Sequence, residues 1–130
     1  MTIQQPINAD AVASHFEIER FQVYAASELA AAPYFQRGIC FQPECSKSFN
    51  PAREWQVFCC TACGQKAAAE YRAFGHRVAL PMLIHRMGKY EKHDEGVMDL
   101  NRAARRFVTH AQSAWLLDRQ RRIEIARGAV

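Results

Sequence analysis

All five cysteines of this 130-residue chain lie in one short window, residues 40–63, with the sequence CFQPECSKSFNPAREWQVFCCTAC. Two cysteines lie close together, thirteen residues follow, and three more cysteines precede a predicted helix. Secreted domains that rely on disulfides distribute an even number of cysteines along the chain, so this odd and confined set does not fit that class. The spacing instead predicts a site at which thiolates bind a metal ion in tetrahedral geometry. We therefore expect a zinc-binding domain to organise the fold.

The spacing directly identifies three ligands, Cys40, Cys45 and Cys63, and leaves the fourth as either Cys59 or Cys60. Cys59 precedes Cys63 by four residues, and residues four apart project from the same side of a helix, so both sulfurs can reach one metal ion. Cys60 and Cys63 form the alternative pair, with a plain C-x-x-C spacing. We expect Cys59 to be the fourth ligand and Cys60 to occupy the position of a small residue beside it.

The predicted ligand set limits the chemistry of the site. Four thiolates complete the tetrahedral shell of Zn²⁺ and leave no position for water or substrate, which is typical of structural zinc. An iron–sulfur cluster is the alternative occupant, and a redox dithiol at Cys60 and Cys63 would need a βαβ context that the chain lacks. The chain also contains no Gly-rich phosphate loop, no H-E-x-x-H motif and no nucleophile elbow. We therefore predict that the protein is not an enzyme.

The residues between the cysteines carry a longer pattern, C-x-x-P-E-C-x-x-x-F-x-P-x-R-x-x-Q-x-x-C-x-x-x-C. This pattern resembles the treble-clef zinc finger (FCS type) of phage and prophage proteins such as the NinG/Rap recombination family, over about residues 38–72. Its positions are filled here by Cys40, Pro43, Glu44, Cys45, Phe49, Pro51, Arg53, Gln56, Cys59 and Cys63. The resemblance implies a treble-clef metal site and a phage-like origin. Cys60 stands where such fingers usually have serine.

The segment before the cysteines is predicted to be helical. A helix is expected from about residue 10 to residue 31, because the Ala-rich stretch AASELAAAP favours helix up to Pro33. Within it, the stretch HFEIERFQVY fits a strand by its alternation and a helix by its apolar face.

A small β-hairpin is predicted between the two groups of cysteines. Residues 48–49 and 55–58 have the composition of short strands, and the Asn-Pro-Ala sequence at 50–52 supplies a turn between them. A helix should follow over residues 61–72 and end at Gly75, which would adopt the left-handed conformation of a C-cap.

Two further helices are predicted after the finger. A short one should begin at Leu80, because Pro81 suits a first-turn position. After a polar loop over 88–95, the longest helix should span about 96–126. Its apolar residues fall at spacings of three, four and one, and we expect them to face the core. These residues are Val97, Leu100, Ala104, Phe107, Val108, Ala111, Trp115 and Leu116.

These elements predict a mostly α fold with a small β-hairpin, in which a treble-clef zinc finger is embedded between helices. Residues 1–36 would be an N-terminal helical segment, residues 37–75 the finger, and residues 76–130 C-terminal helices that pack with the rest. A chain of this length is expected to form a single domain.

The net charge of +4 comes from thirteen arginines and four lysines against thirteen carboxylates, and arginine suits planar recognition of phosphate. A finger helix with basic flanks can approach phosphate with its N-terminus. The residues expected to contact nucleic acid are Lys47, Arg53, Lys66, Arg102, Arg105 and Arg106; Arg119, Arg121, Arg122 and Arg127 extend the basic character of the last helix. The alternative is a solvated helix face with ion pairs such as Asp118–Arg122.

We expect a non-enzymatic protein that binds DNA or RNA as an accessory or regulatory factor in recombination, replication or transcription. The alternative is a protein–protein adaptor or inhibitor in which the zinc finger is a structural brace. The N-terminus MTIQQPINAD lacks the features of a signal peptide, and the apolar run from Val78 to Ile84 is too short to span a bilayer. We therefore expect a cytoplasmic protein without a membrane partner.

Overall fold

The computed structural model of the protein describes residues 18–32 and 36–128. The chain divides into two compact units, residues 1–34 and residues 35–130. The described residues are mostly helical, as predicted, and they form α1 (Phe21–Tyr24), α2 (Ala26–Ala31), α3 (Thr61–Met87) and α4 (Glu95–Ala126).

The first unit contains the short helices α1 and α2. Ala25 separates them, because its φ of −111° and ψ of 34° lie outside the helical region. The prediction of one continuous helix up to residue 31 is therefore wrong at Ala25, and its residues 10–17 lie outside the described part of the chain. Ala25 and Leu29 are the buried side chains of these two helices.

The second unit begins with a compact segment over residues 36–60 that has almost no regular strand. Ile39 and Ser48 form an isolated antiparallel bridge, and the Cys40 N–H donates to the Lys47 carbonyl at 2.8 Å. Gly38 has a φ of +83°, and a Cβ there would lie 3.3 Å from the Phe49 carbonyl oxygen, so the bridge favours glycine at this position.

The predicted strands 48–49 and 55–58 do not pair with each other through any backbone hydrogen bond of the described residues. Ser48 pairs instead with the segment that leads into the first cysteine, and the Val57 carbonyl accepts from the Phe41 N–H at 2.8 Å. The side chain of Gln56 holds the intervening turn, because it accepts from the Ala52 N–H at 2.7 Å and donates to the Phe58 carbonyl at 2.9 Å. Backbone groups that would pair within a hairpin thus form their hydrogen bonds with the segment around Cys40 instead.

Helix α3 continues through both residues that were predicted to interrupt it. Gly75 does not end the helix and Pro81 does not begin a new one, so both predictions are wrong. Glycine and proline inside a helix cost about 1 and 3 kcal/mol of helix stability respectively. The packing of α3 against α4 compensates for this cost. Phe74 stacks on Trp115 with ring centroids 4.0 Å apart, and Val78 is buried.

Helices α3 and α4 form an antiparallel pair joined by a short loop over residues 88–94, close to the predicted loop. A Cβ at Gly88 would lie 3.2 Å from the Asn101 side-chain nitrogen, so glycine permits the close approach of the loop to α4. The Asp94 side chain accepts from the Val97 N–H at 3.2 Å and caps α4, whose bounds agree with the predicted helix over 96–126.

The apolar stripe of α4 is only partly a core-facing surface. Ala104 is buried, but Leu100, Phe107 and Leu116 are each at least half exposed, so for these three the prediction is wrong. Within the described part of the second unit α4 packs against one helix, α3, and the buried apolar residues of this pair are Cys63, Ala67, Val78 and Ala104.

Candidate metal centre and its connection to the helices

The sulfur atoms of Cys40, Cys45, Cys59 and Cys63 all lie within 4.8 Å of one another, and these cysteines form no disulfide. The Cys59 sulfur is 3.7 Å from the sulfurs of both Cys45 and Cys63. In a tetrahedral site with metal–sulfur bonds of about 2.3 Å, the sulfurs are separated by about 3.8 Å. The four thiols can therefore hold one metal ion, with Cys40 and Cys63 on the buried side of the site.

Local backbone structure positions each pair of cysteines. The antiparallel bridge fixes Cys40, and a turn fixes Cys45, whose N–H donates to the Gln42 carbonyl at 3.0 Å. Ser46 ends this turn with a φ of +50°, and its hydroxyl donates to the Pro43 carbonyl.

The start of α3 positions the other pair, because Cys59 lies two residues before the helix, next to the N-cap residue, and Cys63 lies in its first turn. The Cys59 N–H also donates to the Cys40 sulfur at 3.3 Å, which links the two pairs across the site.

The fifth cysteine, Cys60, is exposed and lies outside the group of four. It is the N-cap residue of α3, with extended backbone (φ −157°, ψ 169°), and its sulfur lies 3.7 Å from that of Cys59. Of the two alternatives left by the spacing, the structure thus brings Cys59 together with the other three cysteines.

Crowding of the sulfurs shapes their ionisation. Burial, followed by hydrogen bonds with the Cys45 and Cys40 sulfurs, raises the pKa of Cys59 to about 12, and burial, followed by hydrogen bonds with the Cys59 and Cys40 sulfurs, raises the pKa of Cys63. Burial also acts to raise the pKa of Cys45, but the backbone N–H of Lys47 and the neighbouring sulfurs lower it overall. Without a cation the thiols of Cys59 and Cys63 therefore stay protonated at neutral pH, whereas a bound divalent cation would favour their thiolate forms and displace these protons.

A polar network centred on Glu70 connects this site to α4. The Glu70 carboxylate accepts from the Trp115 indole at 2.7 Å, from Arg119 at 2.8 Å and from Arg122 at 2.9 Å. Burial acts to raise the pKa of Glu70, but these hydrogen bonds from Arg122, Trp115 and Arg119 hold it down at about 2. The carboxylate is therefore ionised at neutral pH and compensates both guanidinium groups.

The two arginines of this network also contact the segment that carries the first cysteine pair. Arg119 donates to the Phe41 carbonyl at 2.9 Å, and its guanidinium lies 4.6 Å from the centroid of the Phe41 ring. Arg122 donates to the Glu44 carboxylate at 2.8 Å. Each arginine thus binds a residue adjacent to a cysteine of the cluster, Phe41 after Cys40 and Glu44 before Cys45.

Two of the arginines that were grouped with the basic surface of the last helix have a structural role instead. Arg119 is mostly buried in the Glu70 network, and Arg122 pairs with Glu70, Glu44 and Asp118. The Asp118–Arg122 pair agrees with the alternative prediction of a helix-face ion pair. Sequence reasoning missed Glu70, although it is the single carboxylate of a helix that is otherwise rich in cations.

The six residues predicted to contact nucleic acid are all exposed, but they fall into two separate groups. Lys47, Arg53 and Lys66 lie on the cysteine segment and the first turns of α3, whereas Arg102, Arg105 and Arg106 lie in the first turns of α4. Arg119, which contacts the cysteine segment at Phe41, follows Arg106 by thirteen residues and Arg102 by seventeen, so this contact lies about 20–25 Å along α4 from the second group. The structure does not bring the two groups together.

A cavity of about 330 Å³ lies at the start of α3, beside the first of these groups. Arg53, Trp55, Phe58, Cys60 and Thr61 are among its lining residues. The ring of Phe58 contacts that of Phe41 edge-on, with 6.4 Å between the centroids.

Comparisons with known proteins identify no relative of this chain: no family model, no curated protein and no solved structure matches it. Among the described residues, no helix has the length and apolar character needed to cross a membrane.

Proposed function

We propose that the four cysteines hold a structural Zn²⁺ ion in a treble-clef finger, and that the protein is a non-enzymatic, phage- or prophage-type factor that binds nucleic acid. The metal proposal is supported by four sulfurs that all lie within 4.8 Å of one another, with two of their separations at 3.7 Å, close to the value of a tetrahedral site. The treble clef is supported by the origin of the ligands, two from a turn flanked by an antiparallel bridge and two from the start of a helix. A closed set of four thiolates supports a structural ion.

Protein purified without chelator is expected to contain one zinc ion per chain. Plasma mass spectrometry of the protein, with total cysteine as the reference, measures this ratio. Iron together with the visible absorption of an iron–thiolate complex would indicate an iron–sulfur cluster in place of zinc. Protein that is folded and free of metal would contradict the proposal.

The nucleic-acid proposal depends on the arginines in the first turns of α4. Arg105 and Arg106 are exposed and form no ion pair within the described residues, while Arg102 pairs only with Asp99 on the same helix. They differ in this from Arg119 and Arg122, which neutralise carboxylates of the protein itself. Unpaired exposed guanidinium groups are the ones available to phosphate. A task in recombination, replication or transcription would follow from this binding.

The double variant Arg105→Glu/Arg106→Glu is expected to weaken binding of DNA or RNA at least tenfold at low salt, and to reduce the slope of log K against log [salt] by about 2, since two phosphate contacts are lost. Fluorescence anisotropy with labelled duplex DNA, single-stranded DNA and RNA over a salt series measures both. Lys89→Glu/Lys92→Glu is the matched control, with the same charge change in the exposed loop. Absence of binding to all three probes at low salt would reject this function.

The alternative, a protein–protein adaptor in which the finger is a brace, is favoured by a different observation. Leu80, Leu83 and Met87 are at least 60% exposed on a helix of the same unit. Large apolar groups that stay in contact with water mark surfaces for partners. The two functions use different surfaces and are compatible in one molecule.

A further inference from the structure

Helix α3 has a second apolar face, which points away from α4. Its face toward α4 carries Ala67, Phe74 and Val78, of which Ala67 and Val78 are buried. On the opposite side, Leu80, Leu83 and Met87 have exposed fractions of 65%, 60% and 82%. Spacings of three and four residues place these three on one line along the helix.

This line extends toward the start of α3 with the same spacing. Ala69, Ala73 and His76 precede Leu80 at alternating steps of four and three, and all of them are exposed, although Ala73 also borders the cavity between α3 and α4. Alternating steps of three and four define the seam on which a second helix packs in coiled-coil fashion. We call these six residues, Ala69, Ala73, His76, Leu80, Leu83 and Met87, the outer seam.

Cations flank the outer seam. Arg72, Arg77 and Arg86 lie at positions next to it, and all three are exposed. The one carboxylate of α3, Glu70, is already paired with Arg119 and Arg122. The border of the outer seam therefore carries positive charge without compensation from its own helix.

We propose that the outer seam binds an acidic amphipathic helix of a partner protein. The apolar line supplies the contact surface, and the flanking arginines select a partner with glutamate or aspartate beside its own apolar positions. In a dimer of this chain, arginine would lie against arginine whether the two helices ran parallel or antiparallel, because the outer seam has arginines along both of its borders. Charge thus favours a different chain as the occupant, independently of the nucleic-acid proposal.

The probe for this proposal is a synthetic four-heptad peptide with leucine at its core positions and glutamate at the flanking positions. The metal-loaded full chain is expected to bind it with a micromolar Kd, measured by fluorescence anisotropy, and to bind the matched peptide with lysine in place of glutamate at least tenfold more weakly. The proposal would be overturned if the acidic peptide did not bind at 100 μM, which is about a hundred times the expected Kd. Equal binding of both peptides would overturn the role assigned to the arginines.

The double variant Leu80→Gln/Leu83→Gln is expected to weaken peptide binding at least tenfold without unfolding the chain, because both side chains are exposed. The matched control is Leu116→Gln/Leu117→Gln, whose side chains on α4 are 57% and 66% exposed. Equal loss in the control would show that the outer seam is not the site. Circular dichroism verifies that both variants are folded.

Two further measurements distinguish the other possible occupants. Sedimentation of the free protein is expected to show a monomer; a dimer that Leu80→Gln/Leu83→Gln dissociates would overturn the proposal in favour of a second copy. Binding to anionic vesicles of phosphatidylserine and phosphatidylcholine in place of the peptide would overturn it in favour of a membrane surface. The nucleic-acid assay with Arg105→Glu/Arg106→Glu remains separate, since these residues lie on α4.

Discussion

Cys45→Ser is expected to abolish binding of the proposed metal ion and to unfold the segment over residues 36–60 in a single step. The binding energy of a structural zinc ion is about 10–16 kcal/mol, which equals or exceeds the whole stability of a typical domain, about 5–15 kcal/mol. The segment over residues 36–60 has little else to hold it, since its regular pairing is one isolated bridge and its buried residues are Cys40, Gln42 and Pro43. Metal content and thermal unfolding, followed by circular dichroism, measure the two losses together.

Cys60→Ser is the matched control for this prediction. The same atom is exchanged, but Cys60 is exposed and lies outside the group of four sulfurs. We expect full metal content and a change in the free energy of unfolding within about 0.5 kcal/mol. If Cys60→Ser lost the metal while Cys59→Ser retained it, the alternative C-x-x-C pair would be the correct one.

Glu70→Gln is expected to produce the second largest effect, a loss of about 3 kcal/mol in the free energy of unfolding at pH 7. The amide keeps the shape of the side chain but leaves Arg119 and Arg122 without the carboxylate that compensates them in a mostly buried position. The magnitude follows from the pKa of Glu70, which falls from 4.5 to about 2 on folding. Urea titration of the metal-loaded wild type and variant measures the difference.

The dependence on pH gives this prediction a specific form. Because the pKa of Glu70 is lowered on folding, its stabilising contribution is complete above pH 4.5 and is lost as the pH falls toward about 2. The difference in stability between wild type and Glu70→Gln should therefore be constant from pH 7 to about pH 5 and shrink below it. Effects of acid on the metal site are common to both proteins and cancel in this difference.

Asp118→Asn provides the control, since Asp118 also pairs with Arg122 but is 63% exposed. An exposed ion pair contributes about 0–1 kcal/mol, so we expect a much smaller effect than for Glu70→Gln. If Glu70→Gln and wild type had equal free energies of unfolding at pH 7, the network would not stabilise the contact between the cysteine segment and the helices.

The network has a consequence for the finger as well as for the helices. Arg119 and Arg122 bind residues that neighbour Cys40 and Cys45, so they fix the first pair of cysteines relative to α4. The start of α3 holds the second pair, since Cys63 lies in its first turn and Cys59 lies two residues before the helix. The two pairs are thus held by different helices, and the α3–α4 contact through Glu70 supports the geometry of the metal site from outside.

The sequence by itself determined the local features of this protein. Cysteine spacing identified three of the four sulfurs that the structure brings together, and it favoured Cys59 over Cys60 as the fourth, because residues four apart at a helix start project the same way. Apolar periodicity located α4 almost to the residue, and the polar stretch before it predicted the loop. These features depend on neighbours in the chain, which a sequence displays directly.

Only the tertiary structure decided how helices end and which charges are free. Gly75 and Pro81 normally stop helices, yet α3 continues through both, because contacts such as Phe74 on Trp115 outweigh the local preference. Arg119 and Arg106 look alike in the sequence, but one neutralises Glu70 across the helix pair and the other is exposed. Contacts between residues far apart in the chain decide these properties, and such contacts have no periodicity by which a single sequence could reveal them.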